Sequence, residues 1–263
     1  MINKLALLSC ILISSFSNAA TLGRVLIEDP PHENRSLVYE QINEFAVVEG
    51  DILLAKIQDL ARKTAVFRLK LGGSRWEQGI VPFEIADNLP VLNKLAVLQA
   101  IALWQKKTNI RFVELTSENR QDYKDYITFI PAVGTTCSSY VGRHGGRQEI
   151  NLAPRCSIML TVHEIGHALG LWHEQSRSDR ANFIQIIWEN IQEDHKHNFE
   201  QQLSDGKDFG DYDYQSIMHY SAYAFSKNGE KTIIPLIDGV EIGQRNQISE
   251  KDIAAINAMY PEL

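Results

Sequence analysis

Residues 163–174 read HEIGHALGLWHE, and no other stretch restricts the fold of this chain so tightly. His163 and His167 are four residues apart. On an α-helix they lie about 40° apart on one face and roughly 6 Å along the axis. Two imidazoles so placed can share one metal ion. Glu164 sits beside the first of them, where its carboxylate can reach a water at the metal without ligating. Gly170 predicts the end of the helix, because glycine takes the left-handed backbone of a C-terminal turn without steric cost. The chain then returns and offers His173 as a third ligand. Three protein ligands with an open fourth position describe a catalytic Zn²⁺ site rather than a closed structural one. The competing reading is an amphipathic helix with solvated histidines. It is weak, because Ile158, Val162, Ile165, Ala168 and Leu169 already supply a separate core-facing stripe.

The rest of the chain bounds this reading. It has 263 residues, 44% of them apolar, enough for one large domain and an appendage. A formal net charge of −7 and the lack of any basic block argue against a nucleic-acid partner. Lys4, the apolar run Leu5 to Ile13 and the small residues Ser17-Asn18-Ala19 predict a signal peptide over residues 1–20. Lipid anchoring at Cys10, after Leu7-Leu8-Ser9, is the alternative. No later stretch reaches transmembrane length, so an exported, soluble protein is expected. Export leaves Cys137 and Cys156, an even number in an oxidising compartment, and they are expected to pair.

Residues 21–65 read as a pro-segment, too short to bury a core alone. Leu37 to Val47 predicts a short helix or extended arm, Glu49-Gly50-Asp51 a turn, and Ile52 to Leu60 has helical spacing. Residues 66–263 form the main domain. Strands are expected at Trp76 to Ile85, where Pro82 suggests an edge, and at Ile110 to Leu115, Tyr126 to Ile130 and Glu149 to Leu152. Helices are expected from Leu89-Pro90 to Lys107, with Leu92, Leu95, Ala96, Ile101, Leu103 and Trp104 as its apolar positions, from Ser157 through the histidines, and from Glu250 to Met259. A polar-faced helix is expected within Phe183 to Phe199, carrying His195 and His197 in solvent rather than in a second metal site. Residues 203–247 are loop-rich. The expected class is α+β: a small, twisted, mostly parallel sheet with two long helices above a loop-rich C-terminal part, and a cleft between.

Several motifs together resemble one family. The extended histidine motif followed by a methionine turn, Ser216-Ile217-Met218-His219-Tyr220, is the metzincin signature. HEIGHALGLWHEQSRSDR, YDYQSIMHYSAYAFSKNG and the opening RWEQGIVPFEI resemble the astacin group of metzincin zinc endopeptidases over about residues 65–263. Glu174 directly after the third histidine and Tyr220 two residues after the methionine are what set that group apart. The Cys137/Cys156 spacing also looks like its internal disulfide. A second disulfide usual in animal members has no partners here. The chain ends at Leu263 without appended modules, which resembles minimal, stand-alone members of the kind found in bacteria.

The resemblance implies a secreted zinc-dependent endopeptidase with a zincin-like fold, one Zn²⁺ per chain and protein or peptide substrates bound in extended form. His163, His167 and His173 would be the ligands and Glu164 the general base. Tyr220 would be a further, retractable ligand that later stabilises an oxyanion. Met218 would form an apolar floor under the metal. Glu174 would meet the new N-terminus after activation, implying a zymogen. Gly50-Asp51 resembles the group's pro-segment motif Phe-x-Gly-Asp, with Val48 at the Phe position, so Asp51 would occupy the metal in the latent form. The pro-segment would then be an intramolecular inhibitor, and activation would need a cut near Arg62 to Phe67. Gly146 to Leu152 would form an edge strand that pairs with substrate; an ordinary internal strand is the alternative. Intact Glu164 and Tyr220 speak against a catalytically inactive zinc-binding adhesion module.

Overall fold

A computed structural model describes residues 21–27, 35–62, 73–201 and 207–262. The expected signal peptide with Cys10, and the expected activation region from residue 63 to Phe67, lie outside the described residues.

The first segment is a β-meander. Strands β1 (Leu22–Ile27), β2 (Arg35–Ile42), β3 (Phe45–Val48) and β4 (Ile52–Lys56) pair antiparallel in sequence, and a short helix α1 (Ile57–Arg62) follows. The expected helix or arm at Leu37 to Val47 is therefore β2 and β3. The helical spacing from Ile52 splits into a strand and one helical turn and a half. Positive φ at Asn43 (53°), Glu49 (49°) and Gly50 (79°) makes the two tight reversals. Leu37, Ala46, Val48, Ile52 and Leu54 are buried with Val141, and Trp172 packs against them. The segment thus completes its apolar faces on the later chain, as its length requires.

The main sheet comes next. Strand β5 (Ile80–Ile85) is followed by helix α2 (Val91–Lys107), β6 (Arg111–Glu114), β7 (Tyr126–Pro131), the two-residue β8 (Ser138–Ser139) and β9 (Arg147–Leu152). The nine strands lie in the order β1-β2-β3-β4-β8-β9-β7-β5-β6. Neighbours from β9 through β7 and β5 to β6 are parallel, and β8 is antiparallel to β9. Two sequence expectations fail here. Pro82 is not on an edge strand: β5 is flanked on both sides. Leu115 N donates to Phe83 O, so odd-numbered residues bond β6 and Pro82 faces β7, whose ladder starts one residue later at Phe83. The missing N–H therefore costs no ladder bond. Nor is β9 an edge, because β8 covers it at Ile150 and Asn151. The outer strand of the later chain is β8, and β4 lies parallel against it through Ile52 and Ser139.

Helix α2 packs directly against helix α3 (Ile158–Leu169). Its buried face is Asn93, Ala96, Val97, Ala100, Ile101 and Trp104, while Leu92 and Leu95 are exposed. The indole of the fully buried Trp104 donates to Val162 O at 3.0 Å, so its one polar atom is satisfied in the core. The disulfide Cys137–Cys156 spans 6.2 Å between Cα atoms and ties the start of β8 to the entry of α3.

After α3 the chain is loop-rich, with one small antiparallel pair, β10 (Ile184–Ile186) and β11 (Ile233–Pro235), and a closing helix α4 (Glu250–Met259). The polar helix expected within Phe183 to Phe199 is shorter and of 3₁₀ type: after β10 and a 3₁₀ turn at Trp188–Asn190, a 3₁₀ helix over Glu193–Phe199 carries both histidines. His195 is half-buried against Phe225, at 4.7 Å between ring centroids, and lies 3.7 Å from Glu40. His197 is likewise half-buried rather than exposed. No helix among the described residues is long and apolar enough to cross a membrane.

Candidate metal centre

Local chemistry sets the limits of α3. The Ser157 side chain caps its N-terminus by accepting from Leu160 N. At the other end Gly170 takes φ 113°, Leu171 N donates to Gly166 O, and Gly170 N to His167 O. This paired glycine turn closes the helix and reverses the chain. Val162, Ile165, Ala168 and Leu169 are fully buried in the main core, while Ile158 is exposed at the first turn. The reversal brings His173 back to the two helical histidines, with ring centroids 4.7 Å from His167 and 5.3 Å from His163.

Each ring is aimed by its Nδ1. His163 Nδ1 bonds Ile217 O, His167 Nδ1 bonds Leu171 O, and His173 Nδ1 bonds the Glu49 carboxylate, all at 2.8 Å. Carbonyl and carboxylate oxygens only accept, so Nδ1 carries the proton in all three rings. Nε2 is left with an inward lone pair. The three Nε2 atoms and Asp51 Oδ1 are buried without hydrogen-bond partners. Asp51 oxygens lie 3.3 Å from His163 Nε2, 3.6 Å from His167 Nε2 and 3.2 Å from His173 Nε2. One ligand atom from each of the four lies within 4.8 Å of the others. Lone pairs that converge on a carboxylate repel unless a cation sits among them. Three neutral imidazoles and one carboxylate oxygen are a donor set that suits tetrahedral Zn²⁺.

The titration behaviour states the same demand. Burial holds His163 down to about 3 and lowers His167. Burial also opposes charge on His173, but Asp51 and Glu49 outweigh it and raise this ring to about 9. Burial opposes the Asp51 charge too, yet His173 and the histidine contacts hold that carboxyl well below its usual range. The cage thus attracts positive charge: a proton on His173 Nε2 facing Asp51, or a metal ion that displaces it and leaves all three rings neutral.

Glu164 is buried beside the cage with Oε2 unpartnered. Burial, reinforced by Asp51, pushes its carboxyl well above the ordinary range, with Arg245 pulling the other way. Tyr220 lies with its ring 4.7 Å from His173, and its hydroxyl donates to the Glu49 carbonyl rather than to Asp51. Met218 is buried beneath α3. A Cβ built on Gly166 would stand 2.8 Å from its sulfur, so a larger residue there would force the methionine to shift. Glu174 accepts from Asp213 N at 2.7 Å and faces Arg177 at 3.7 Å; burial raises it to about 8. It borders a cavity of about 240 Å³ whose wall also includes Gly73, Ser74, Asp213 and Asp252.

Sequence reasoning missed four residues here. Glu49 is buried behind His173. Arg245, half-buried, donates to His219 O and Gln244 O and faces Glu164, Asp51 and Tyr220. Gly166 admits Met218. Asp252 accepts from Ser216 Oγ (2.6 Å) and Ile217 N (2.9 Å), so α4 holds the methionine turn in place. Of these only Asp252 had a local signal, the Ser249-x-x-Asp252 spacing of a capping box.

A methionine turn seated under a helix that reverses at a glycine to return a third histidine is the arrangement of a metzincin domain. Comparison with known proteins sharpens this. The profile of the astacin peptidase family matches residues 69–261. The chain is 35% identical over 244 residues to an astacin-like metalloendopeptidase of Mus musculus, covering 89% of this chain and 52% of that protein. It is 39% identical over 189 residues to zinc metalloproteinase nas-13 of Caenorhabditis elegans, covering 71% of this chain and 41% of that one. The chain therefore spans about half the length of these relatives. Among solved structures, high choriolytic enzyme 1, a hatching enzyme zinc-protease from Oryzias latipes, superposes with a TM-score of 0.64 at 33% identity, over 75% of this chain and 98% of that one. The chain belongs to the astacin family.

Proposed function

We propose that this chain is a secreted zinc-dependent endopeptidase made as a latent precursor. Residues 1–20 are its signal peptide, 21–65 its pro-segment and 66–263 its catalytic domain. One observation supports the reading above the rest: three histidine lone pairs and the Asp51 carboxylate converge, buried, on one point beside Glu164. His163, His167 and His173 would hold one Zn²⁺, with Asp51 in the fourth position. Zinc held there supplies an activated water of lowered pKa and polarises the scissile carbonyl.

The chain's own groups do the rest. Departure of the pro-segment takes Asp51 out of the cage and uncovers β8, the strand on which an extended peptide backbone can pair. Glu164 then takes a proton from the attacking water and delivers it to the leaving amine, a task suited to a carboxyl raised by burial. Tyr220, released from the Glu49 carbonyl, turns its hydroxyl toward the developing oxyanion. Glu174, beside its cavity, receives the new N-terminal ammonium.

The processed, zinc-loaded protein should digest casein, and a chelator or Glu164→Ala should abolish the digestion. No digestion by that form would overturn the peptidase reading. Asp51→Ala should give a precursor with measurable activity before any cut; full latency of that variant counts against the Asp51 switch. Intact-mass analysis of the exported protein separates a cut after residue 19 or 20 from lipidation at Cys10.

A further inference from the structure

We propose that Glu49 is a metal-positioning residue that the precursor has and the processed enzyme lacks. The inference rests on residues 21–65 being a pro-segment and deepens that reading. Glu49 is 2% exposed, at φ 49°, a left-handed backbone that a non-glycine residue adopts only when its surroundings impose it. Oε2 accepts from His173 Nδ1 and from Ser176 Oγ, both at 2.8 Å. Its carbonyl accepts from Tyr220. Two residues on, Asp51 Oδ1 lies 3.2 Å from Nε2 of the same ring. The tripeptide Glu49-Gly50-Asp51 therefore clasps His173 from both ring nitrogens. Gly50 (φ 79°) makes the clasp possible: a Cβ there would meet Phe225 Cζ at 2.7 Å.

The asymmetry among the three rings carries the argument. His163 and His167 are aimed by the carbonyls of Ile217 and Leu171, which stay with the catalytic domain. His173 alone is aimed by a group on the removable segment. A carboxylate behind a ligating imidazole fixes its tautomer and orientation, and its loss typically costs about 10- to 100-fold in metal affinity. The precursor should accordingly hold zinc through a carboxylate–His173 pair that activation dismantles. Latency and tight metal retention would then be written into one tripeptide through two different carboxylates.

The test uses the full-length chain carrying Glu164→Ala, so that it cannot cut itself. Zinc affinity is measured by competition with a chromophoric chelator, and the visible spectrum of the Co²⁺-loaded protein reports ligand geometry. Near-UV circular dichroism checks the fold. Glu49→Gln keeps shape and removes charge; it should weaken zinc retention about tenfold or more and shift the Co²⁺ bands. Glu49→Ala should weaken it further. Affinity within about twofold of the parent in a folded Glu49→Gln protein would overturn the proposal. Should that variant not fold, Ser176→Ala, which frees one side of the Glu49 carboxylate, must shift affinity in the same direction; no shift overturns the proposal. Asp51→Ala, assayed with Glu164 intact, reads latency separately. A latent Asp51→Ala protein sinks the switch while leaving the Glu49 result readable, and unchanged zinc retention in the Glu49 variants sinks this inference alone.

Discussion

Asp252 gives the most exacting test of how the methionine turn is held. It is 5% exposed, and three donors meet its carboxylate: Ser216 Oγ at 2.6 Å, Ile217 N at 2.9 Å and Ser249 N at 3.0 Å. Asp252→Ala strands the two backbone N–H groups, at about 1–3 kcal/mol each. Ser216 can rotate. Burial raises the Asp252 carboxyl, so removing it recovers part of a desolvation cost. The net expectation is a loss of about 3 kcal/mol, or roughly 10 °C in Tm for a domain of this size. Ile217 O aims His163, so on the proposed reading a loosened turn should also lower kcat after processing. Asp252→Asn is the discriminating variant. Both backbone donors meet Oδ2, and one amide oxygen can accept both while the amide N–H₂ turns to Ser216 Oγ. It should lose at most about 1 kcal/mol. Urea unfolding of the chain carrying Glu164→Ala measures all three proteins. An Ala loss under about 1 kcal/mol, or an Asn loss equal to Ala, would refute the idea that these hydrogen bonds hold the turn.

Two further outcomes follow from the same geometry. Gly166→Ala gains about 1 kcal/mol of helix propensity but drives a Cβ to 2.8 Å from Met218 Sδ, a clash of about 1–3 kcal/mol; urea midpoints should show the combination with Met218→Ala more stable than the sum of the single effects, and simple additivity counts against the contact. Glu174 is raised to about 8 in the folded chain against an ordinary 4.5, so the folded state holds the extra proton between those values. Its contribution is complete below pH 4.5 and is lost as pH rises through 8, with a slope of at most about 1.4 kcal/mol per unit. Glu174→Gln should flatten that part of the stability profile, and an unchanged slope excludes Glu174 as its source.

Much of the main domain was readable because its signals are local. The apolar stripe of α3, Ser157 before it and Gly170 after it lie within one continuous run, and α4 starts at a capping box. The helix expected at Phe183 to Phe199 shows why other parts were not. Ile184, Ile187 and Ile191 sit at helical spacing, but the backbone is committed elsewhere. Gln192 N bonds Phe225 O, Asn190 O accepts from Lys227 N, and Ile187 N bonds Thr232 O. Partners 33–45 residues away decide the conformation, and no local period records them. Glu49 was hidden for the same reason. Its neighbour Asp51 stood out through a motif, whereas Glu49 reads as one more acidic residue in a turn until His173, 124 residues on, is placed behind it.

The seam between β4 and β8 is registered through a single residue pair, Ile52 with Ser139. On the proposed reading the first segment of the continuous chain is a tethered ligand, presented to its own site at an effective concentration on the order of millimolar. A cut near Arg62 to Phe67 leaves the contacts of β1 to β4 in place and removes the tether. On the proposed reading, cutting and awakening are then separate events. A concentrated sample stays occupied by its freed segment, and a diluted one sheds it, so the onset of activity should depend on how much protein is present as well as on how much has been cut.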